Sequence, residues 1–94
     1  MITAIALLNT DRNTINETSQ ALVEMDGVSE VYSVAGQWDL VVIIRVQKND
    51  QVAELVTDRL LKIPGIIKST TLIAFRAYSK YDLEHMFSVG LERN

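Results

Sequence analysis

The chain alternates apolar runs with polar or glycine-marked breaks, and the spacing predicts four strands and two helices. Residues 2–8 are apolar on both parities, with Ile2, Ala4, Ala6 and Leu8 on one face and Ile5 and Leu7 on the other. This predicts a strand covered on both sides. After the polar Asn9-Thr10-Asp11, the run Thr14-Ile15-Asn16-Glu17 has the capping-box pattern of a helix start. Ile15, Thr18, Ser19, Leu22 and Met25 then recur at helical spacing, which predicts a helix over residues 14–25 stopped by Gly27. Residues 28–35, rich in Val and Tyr, predict a second strand, Gly36-Gln37 a two-residue hairpin turn, and residues 38–46 a third strand. Asn49-Asp50 predict the cap of a second helix, in which Val52, Leu55, Val56, Leu60 and Ile63 keep period until Pro64-Gly65. Residues 66–75 predict the fourth strand.

The order is βαββαβ, and its halves echo each other. Aligning Gly27 with Gly65 sets Leu22 over Leu60, Met25 over Ile63 and Val28 over Ile66, an offset of 38 residues (65 − 27). Right-handed crossovers then favour an α+β, ferredoxin-like sandwich, with both helices on one face of an antiparallel sheet in strand order 4-1-3-2. Two helices cover only one sheet face, yet strands one and three are apolar on both. The simplest cover for the second face is the same face of another copy, giving a dimer through the sheet. At about 25 cal/mol for each Å² of apolar area removed from water, such a face would make the dimer effectively obligate. The two-layer domain is expected over residues 1–76. Beyond it, Leu83, Met86, Phe87 and Leu91 predict a helical C-terminal tail over residues 77–94.

Composition narrows the function. With 94 residues, 48% of them hydrophobic, the chain is one folded domain. A net charge of −3 and no Lys/Arg cluster argue against gripping nucleic acid directly. There is no cysteine and a single histidine, His85, so thiol catalysis and thiolate or multi-histidine metal sites are excluded, and neither a metal nor a cofactor is expected. No apolar run reaches the roughly 18 residues of a membrane span, and the apolar start lacks a basic leader or cleavage pattern. A cytoplasmic protein is expected.

One residue breaks the strand pattern. Asp39 stands directly before the aliphatic run Leu40-Val41-Val42-Ile43-Ile44, where β propensity disfavours it. The topology brings the end of strand one and the starts of strands three and four to one edge, so Asn9, Thr10, Gln37, Asp39, Ser69 and Thr71 are expected to converge. A carboxylate facing hydroxyls and free backbone amides suits a small zwitterion, Asp39 for an ammonium and the hydroxyls and amides for a carboxylate. A second reading stays open: an Asp beside a turn commonly caps the turn backbone, and hydroxyl residues suit strands by propensity alone. Catalysis has thinner support, since His85, Tyr78 and Tyr81 all lie in the tail. Trp38 and Phe75 read first as core or interface packing.

Two motifs also carry a resemblance. Gly36 and Asp39 match a Gly-x-x-Asp turn, and Pro64, Gly65, Ile66, Ser69 and Thr71 match a Pro-Gly-Val-x-x-Thr-x-Thr strand start. Over residues 2–76 the chain resembles the effector-binding (RAM) domain of the Lrp/AsnC regulator family. The resemblance implies subunits paired through their sheets, rings of dimers, and amino-acid effectors bound between dimers. Carried over residue by residue, it implies effector contacts at Gly36, Asp39, Ser69 and Thr71, with Gln37 and Trp38 in variable slots that shape selectivity. It further implies regulation of transcription or amino acid metabolism, with full-length family members as partners. Ser69 and Ile66 replace the usual Thr and Val. Strand one begins at Ile2, so a stand-alone domain without the family's helix-turn-helix is expected. The chain is expected not to be an enzyme; the alternatives are a small dimeric α/β-barrel enzyme, of the cofactor-free monooxygenase kind, and a ligand-free oligomerisation domain.

Overall fold

The computed structural model describes residues 1–78 and residue 80. The predicted helical tail and the candidates His85 and Tyr81 lie outside the described residues. The observed strands are β1 (Ile2–Thr10), β2 (Val28–Ser33), β3 (Leu40–Val46) and β4 (Ile66–Ala74), with helices α1 (Ile15–Val23) after β1 and α2 (Asn49–Glu54) after β3. They form one antiparallel sheet in the order β2-β3-β1-β4, the expected ferredoxin-like arrangement.

The two faces of the sheet differ as the doubly apolar strands required. Ala4, Ala6 and Leu8 of β1 and Leu40, Val42 and Ile44 of β3 are fully buried on the helix-covered face, where Leu22 of α1 and Val52, Leu55 and Leu60 along the second helix complete the core. Complete burial of a leucine or isoleucine of this kind stabilises the fold by about 2 kcal/mol. On the opposite face Ile5, Leu7, Val41 and Ile43 are half-buried in the single chain, and Tyr32 and Leu72 remain about half exposed. Among the described residues, no helix covers this open face.

Several local expectations are corrected. Thr14 makes no cap through its side chain to the α1 amides, so the capping box with Glu17 does not form. Asp11 acts one turn earlier: its Oδ1 accepts from Asn13 N at 3.0 Å and its carbonyl accepts from the Thr14 hydroxyl at 3.1 Å, shaping a 3₁₀ turn at Arg12–Thr14. The second helix is anchored by Gln51 rather than by Asn49-Asp50; its Oε1 accepts from the amides of Gln47 and Lys48, each at 2.9 Å. Past Glu54 the helix widens into a π turn at Leu55–Arg59 and tightens into a 3₁₀ turn at Leu60–Lys62. The wide turn has a packing cause. Leu60 lies five positions after Leu55, too far for one α-helical turn, and the i→i+5 geometry returns both to the core.

The two glycines that align in the sequence repeat do different work. Gly27 stops α1 with φ +96°, a left-handed conformation. Gly65 has no positive φ; a Cβ there would strike the Thr14 and Thr18 hydroxyls at the start of α1, and its carbonyl accepts from Asp11 N at 2.9 Å.

Candidate functional site

The predicted two-residue turn is a wider loop. Strand pairing stops at Ser33 and Leu40, and residues 34–39 are closed by Val34 N donating to Asp39 O at 3.0 Å. Gly36 takes φ +129° at its tip, with open space where a Cβ would stand. The Asp39 backbone thus still bonds to the neighbouring strand on one side, and residues 35–38 form the open part of the loop.

Asp39 ties the loop to the end of β1. Its amide donates to Leu8 O at 2.9 Å, and its Oδ2 accepts from Thr10 N at 2.9 Å and, more loosely, from the Asn9 side-chain amide at 3.4 Å. The Asn9 amide also donates to Gln37 O at 2.9 Å. Asp39 therefore does cap backbone at the end of a strand, and both side-chain contacts fall on one oxygen. Oδ1 makes no hydrogen bond among the described residues and is left to the half-buried surface of the corner.

The expected convergence holds in part. Gly36, Gln37, Trp38, Asp39, Asn9 and the backbone of Thr10 meet at this corner. Ser69 and Thr71 do not share its face, because the register sets Ser69 opposite Leu8 and Thr71 opposite Ala6, both on the helix-covered side. Asp39 instead has the parity of Val41 and Ile43, on the open side. Side-chain alternation orders residues along each strand, but the register between strands decides which face of β4 matches which face of β3. Thr10 also points its side chain inward; its Oγ1 is buried without a hydrogen-bond partner.

A residue the sequence reading passed over occupies the corner. The β1–β4 register slips between Asn9 and Thr10, pairing Asn9 with Lys68 and Thr10 with Ile66 and leaving Ile67 as the extra residue of a β-bulge. The bulge lets Ile66 pack on the core while Lys68, only two positions on, faces the open side. Lys68 Nζ stands 5.5 Å from the centroid of the Trp38 ring, a cation–π contact. No sequence signal marked Lys68, since a bulge cannot be read from alternation.

Two hollows lie elsewhere. A groove of about 580 Å³ between α2 and β4 is lined by Val52, Ala53, Val56, Thr71, Ile73 and Phe75. Phe75, expected to pack, is 97% exposed on the rim of this groove. A cleft of about 320 Å³ at the far end of the sheet is lined by Asp26, Arg45, Gln51, Glu54 and Arg59 among others. Among the described residues, no group of three or more His, Cys, Asp or Glu side chains is placed to hold a metal.

Comparison with known proteins adds the following. A family model described as the Lrp/AsnC ligand binding domain matches residues 3–83. An uncharacterised HTH-type transcriptional regulator of Pyrococcus horikoshii is 32% identical over 76 residues, covering 78% of this chain and 51% of that protein. The chain thus spans about half the length of the curated relatives it matches. A Thermus thermophilus protein of known crystal structure is 38% identical, with a TM-score of 0.80 over 85% of this chain and 100% of its own. The M. tuberculosis feast or famine regulatory protein, solved with L-methionine, shares the fold at 21% identity and a TM-score of 0.67, over 85% of this chain and 54% of its own.

Proposed function

We propose that this chain, which belongs to the Lrp/AsnC ligand binding domain family, senses a small amino acid or a related metabolite as an oligomeric regulatory module. The observation that carries this reading is the corner itself: an acid with one carboxylate oxygen free among the described residues, backed by Asn9, beside a tryptophan that carries the Lys68 ammonium, at a strand end on the uncovered face. The L-methionine bound by the M. tuberculosis protein of the same fold supports the ligand class.

Gly36, Gln37, Trp38 and Asp39 form the corner side of the site. Ser69 and Thr71 lie on the other face, so a ligand that uses both sets sits between copies, taking the loop from one and the β4 hydroxyls from another. The open face supports oligomerisation, since Ile5, Leu7, Val41 and Ile43 would be covered by the same face of a second copy. A ligand held between copies favours the assembly that binds it better, which couples effector level to assembly and to partner proteins such as full-length family members. A binding module is favoured over a small barrel enzyme because, among the described residues, the groove between sheet and helix is lined by aliphatic, aromatic, hydroxyl and amide groups with no titratable side chain.

Calorimetric titration with each proteinogenic amino acid, combined with light scattering, tests the reading. Heat of binding with a change in mass or in dimer affinity is expected for at least one of them. No heat and no change in mass for any would overturn it.

A further inference from the structure

The corner holds charge of both signs. Lys68, Asn9 and Asp39 form a row across the end of the sheet: Lys68 pairs directly with Asn9, and the Asn9 amide reaches Asp39. The row is two strand spacings wide, about 10 Å between the backbones of its outer members. Lys68 precedes Thr70 and Leu72 on the open face, Asn9 follows Ile5 and Leu7 on it, and Asp39 precedes Val41 and Ile43. Among the described residues the ion pair is Arg45 with Glu30, so no described carboxylate lies within ion-pair distance of Lys68. Its ammonium rests instead over Trp38.

We propose that Lys68 is the counter-charge for the carboxylate of the effector, while Oδ1 of Asp39 takes its ammonium and Trp38 forms the wall between them. This rests on the effector reading of the corner and sharpens it, because both ends of the ligand are now specified. The ligand is a free α-amino acid with an unblocked carboxylate, rather than an amine, an amino-acid amide or a peptide N-terminus. The chemistry favours the exchange: a cation over an exposed aromatic ring is held weakly, whereas a charge-assisted hydrogen bond to a carboxylate is among the stronger polar contacts available. On binding, Lys68 leaves the ring for the carboxylate. The side chain needs only to swing, since its stem is long and its backbone is fixed by pairing with Asn9.

Trp38 is the only tryptophan in the chain, so its fluorescence reports this corner directly. Full-length wild type, Lys68→Met and Lys68→Arg are titrated with the free amino acids, and the best binder is compared with its carboxamide by fluorescence and calorimetry. Wild type is expected to bind the free amino acid roughly tenfold or more tighter than Lys68→Met does. Lys68→Arg keeps most of the affinity, and the carboxamide binds wild type and Lys68→Met alike. The ligand-induced change in Trp38 emission is expected in wild type and lost in Lys68→Met even where calorimetry still detects binding. Equal affinity of wild type and Lys68→Met for the free amino acid, or a carboxamide as tight as the acid, overturns the role of Lys68 and leaves the effector reading standing. Absence of binding by every amino acid overturns both.

Discussion

Replacing Asp39 by Ala and by Asn separates its structural role from its proposed role in binding. In the folded chain its Oδ2 satisfies the amide of Thr10, a residue only 4% exposed. Asp39→Ala removes the acceptor and leaves that N–H in a nearly buried position without a partner, a loss of about 2–3 kcal/mol, since a hydrogen bond to a charged group is given up as well. Asp39→Asn keeps an acceptor oxygen at the same reach and gives up only the charge, a loss of about 1 kcal/mol. Urea unfolding at one fixed protomer concentration measures both, because assembly would otherwise shift the midpoint. The midpoint should fall clearly for Asp39→Ala and slightly for Asp39→Asn, with the slope unchanged. Amino acid binding should be lost in both, because neither supplies an anion to the ligand's ammonium. Wild-type stability in Asp39→Ala would refute the capping role, and full ligand affinity in Asp39→Asn would refute the binding role.

The other predictions test separate features. Gly36→Ala should lose about 1–2 kcal/mol from backbone strain alone, because φ is +129° and nothing lies near the added methyl; Gly65→Ala should lose more, through collision with Thr14 and Thr18, and both are read by denaturant midpoint. Ile43→Asp, on the open face, should leave the circular dichroism spectrum intact and shift sedimentation velocity toward the monomer; an unchanged mass would count against pairing through that face. The Tyr32 hydroxyl donates to the Glu30 carboxylate, and that bond and the adjacent negative charge hold its pKa above the usual value. The protonated phenol is thus favoured on folding, a contribution present below the unfolded pKa and lost as pH rises through the folded one. Glu30→Gln should lower the alkaline midpoint of Tyr32, followed by difference absorbance.

The sheet order was legible because the βαββαβ succession with right-handed crossovers leaves one arrangement favoured, and the two apolar faces because the parity of β1 and β3 encodes them residue by residue. The hairpin was legible only in kind. Gly36 marks the positive φ, but the loop is held by the bond from the Thr10 amide to Asp39, a contact between segments 29 positions apart that local spacing does not reveal. The Thr14–Glu17 capping box failed for a similar reason: the Thr14 hydroxyl donates to the Asp11 carbonyl at 3.1 Å, a 3₁₀-turn contact that the helix-start pattern does not encode, and accepts from no α1 amide. The loop half of the candidate site was visible in Gly36 to Asp39. Lys68 was not, nor was the face that Ser69 and Thr71 take relative to Asp39, because a single extra residue at Ile67 and the β1–β4 register decide both.

The π turn at Leu55–Arg59 has a consequence for how this helix tolerates changes in length. Leu60 N–H donates back to both Leu55 and Val56 carbonyls, so the turn holds one residue more than an α-helix needs. Deleting Thr57 or Asp58, both exposed, would convert it to an ordinary turn and leave Val52, Leu55 and Leu60 in phase on the core. The same deletion in α1 would rotate the residues beyond it by roughly 100° and pull Leu22 off the sheet. The second helix thus carries its own slack, a place where the gene can lose a codon and the core keeps its shape.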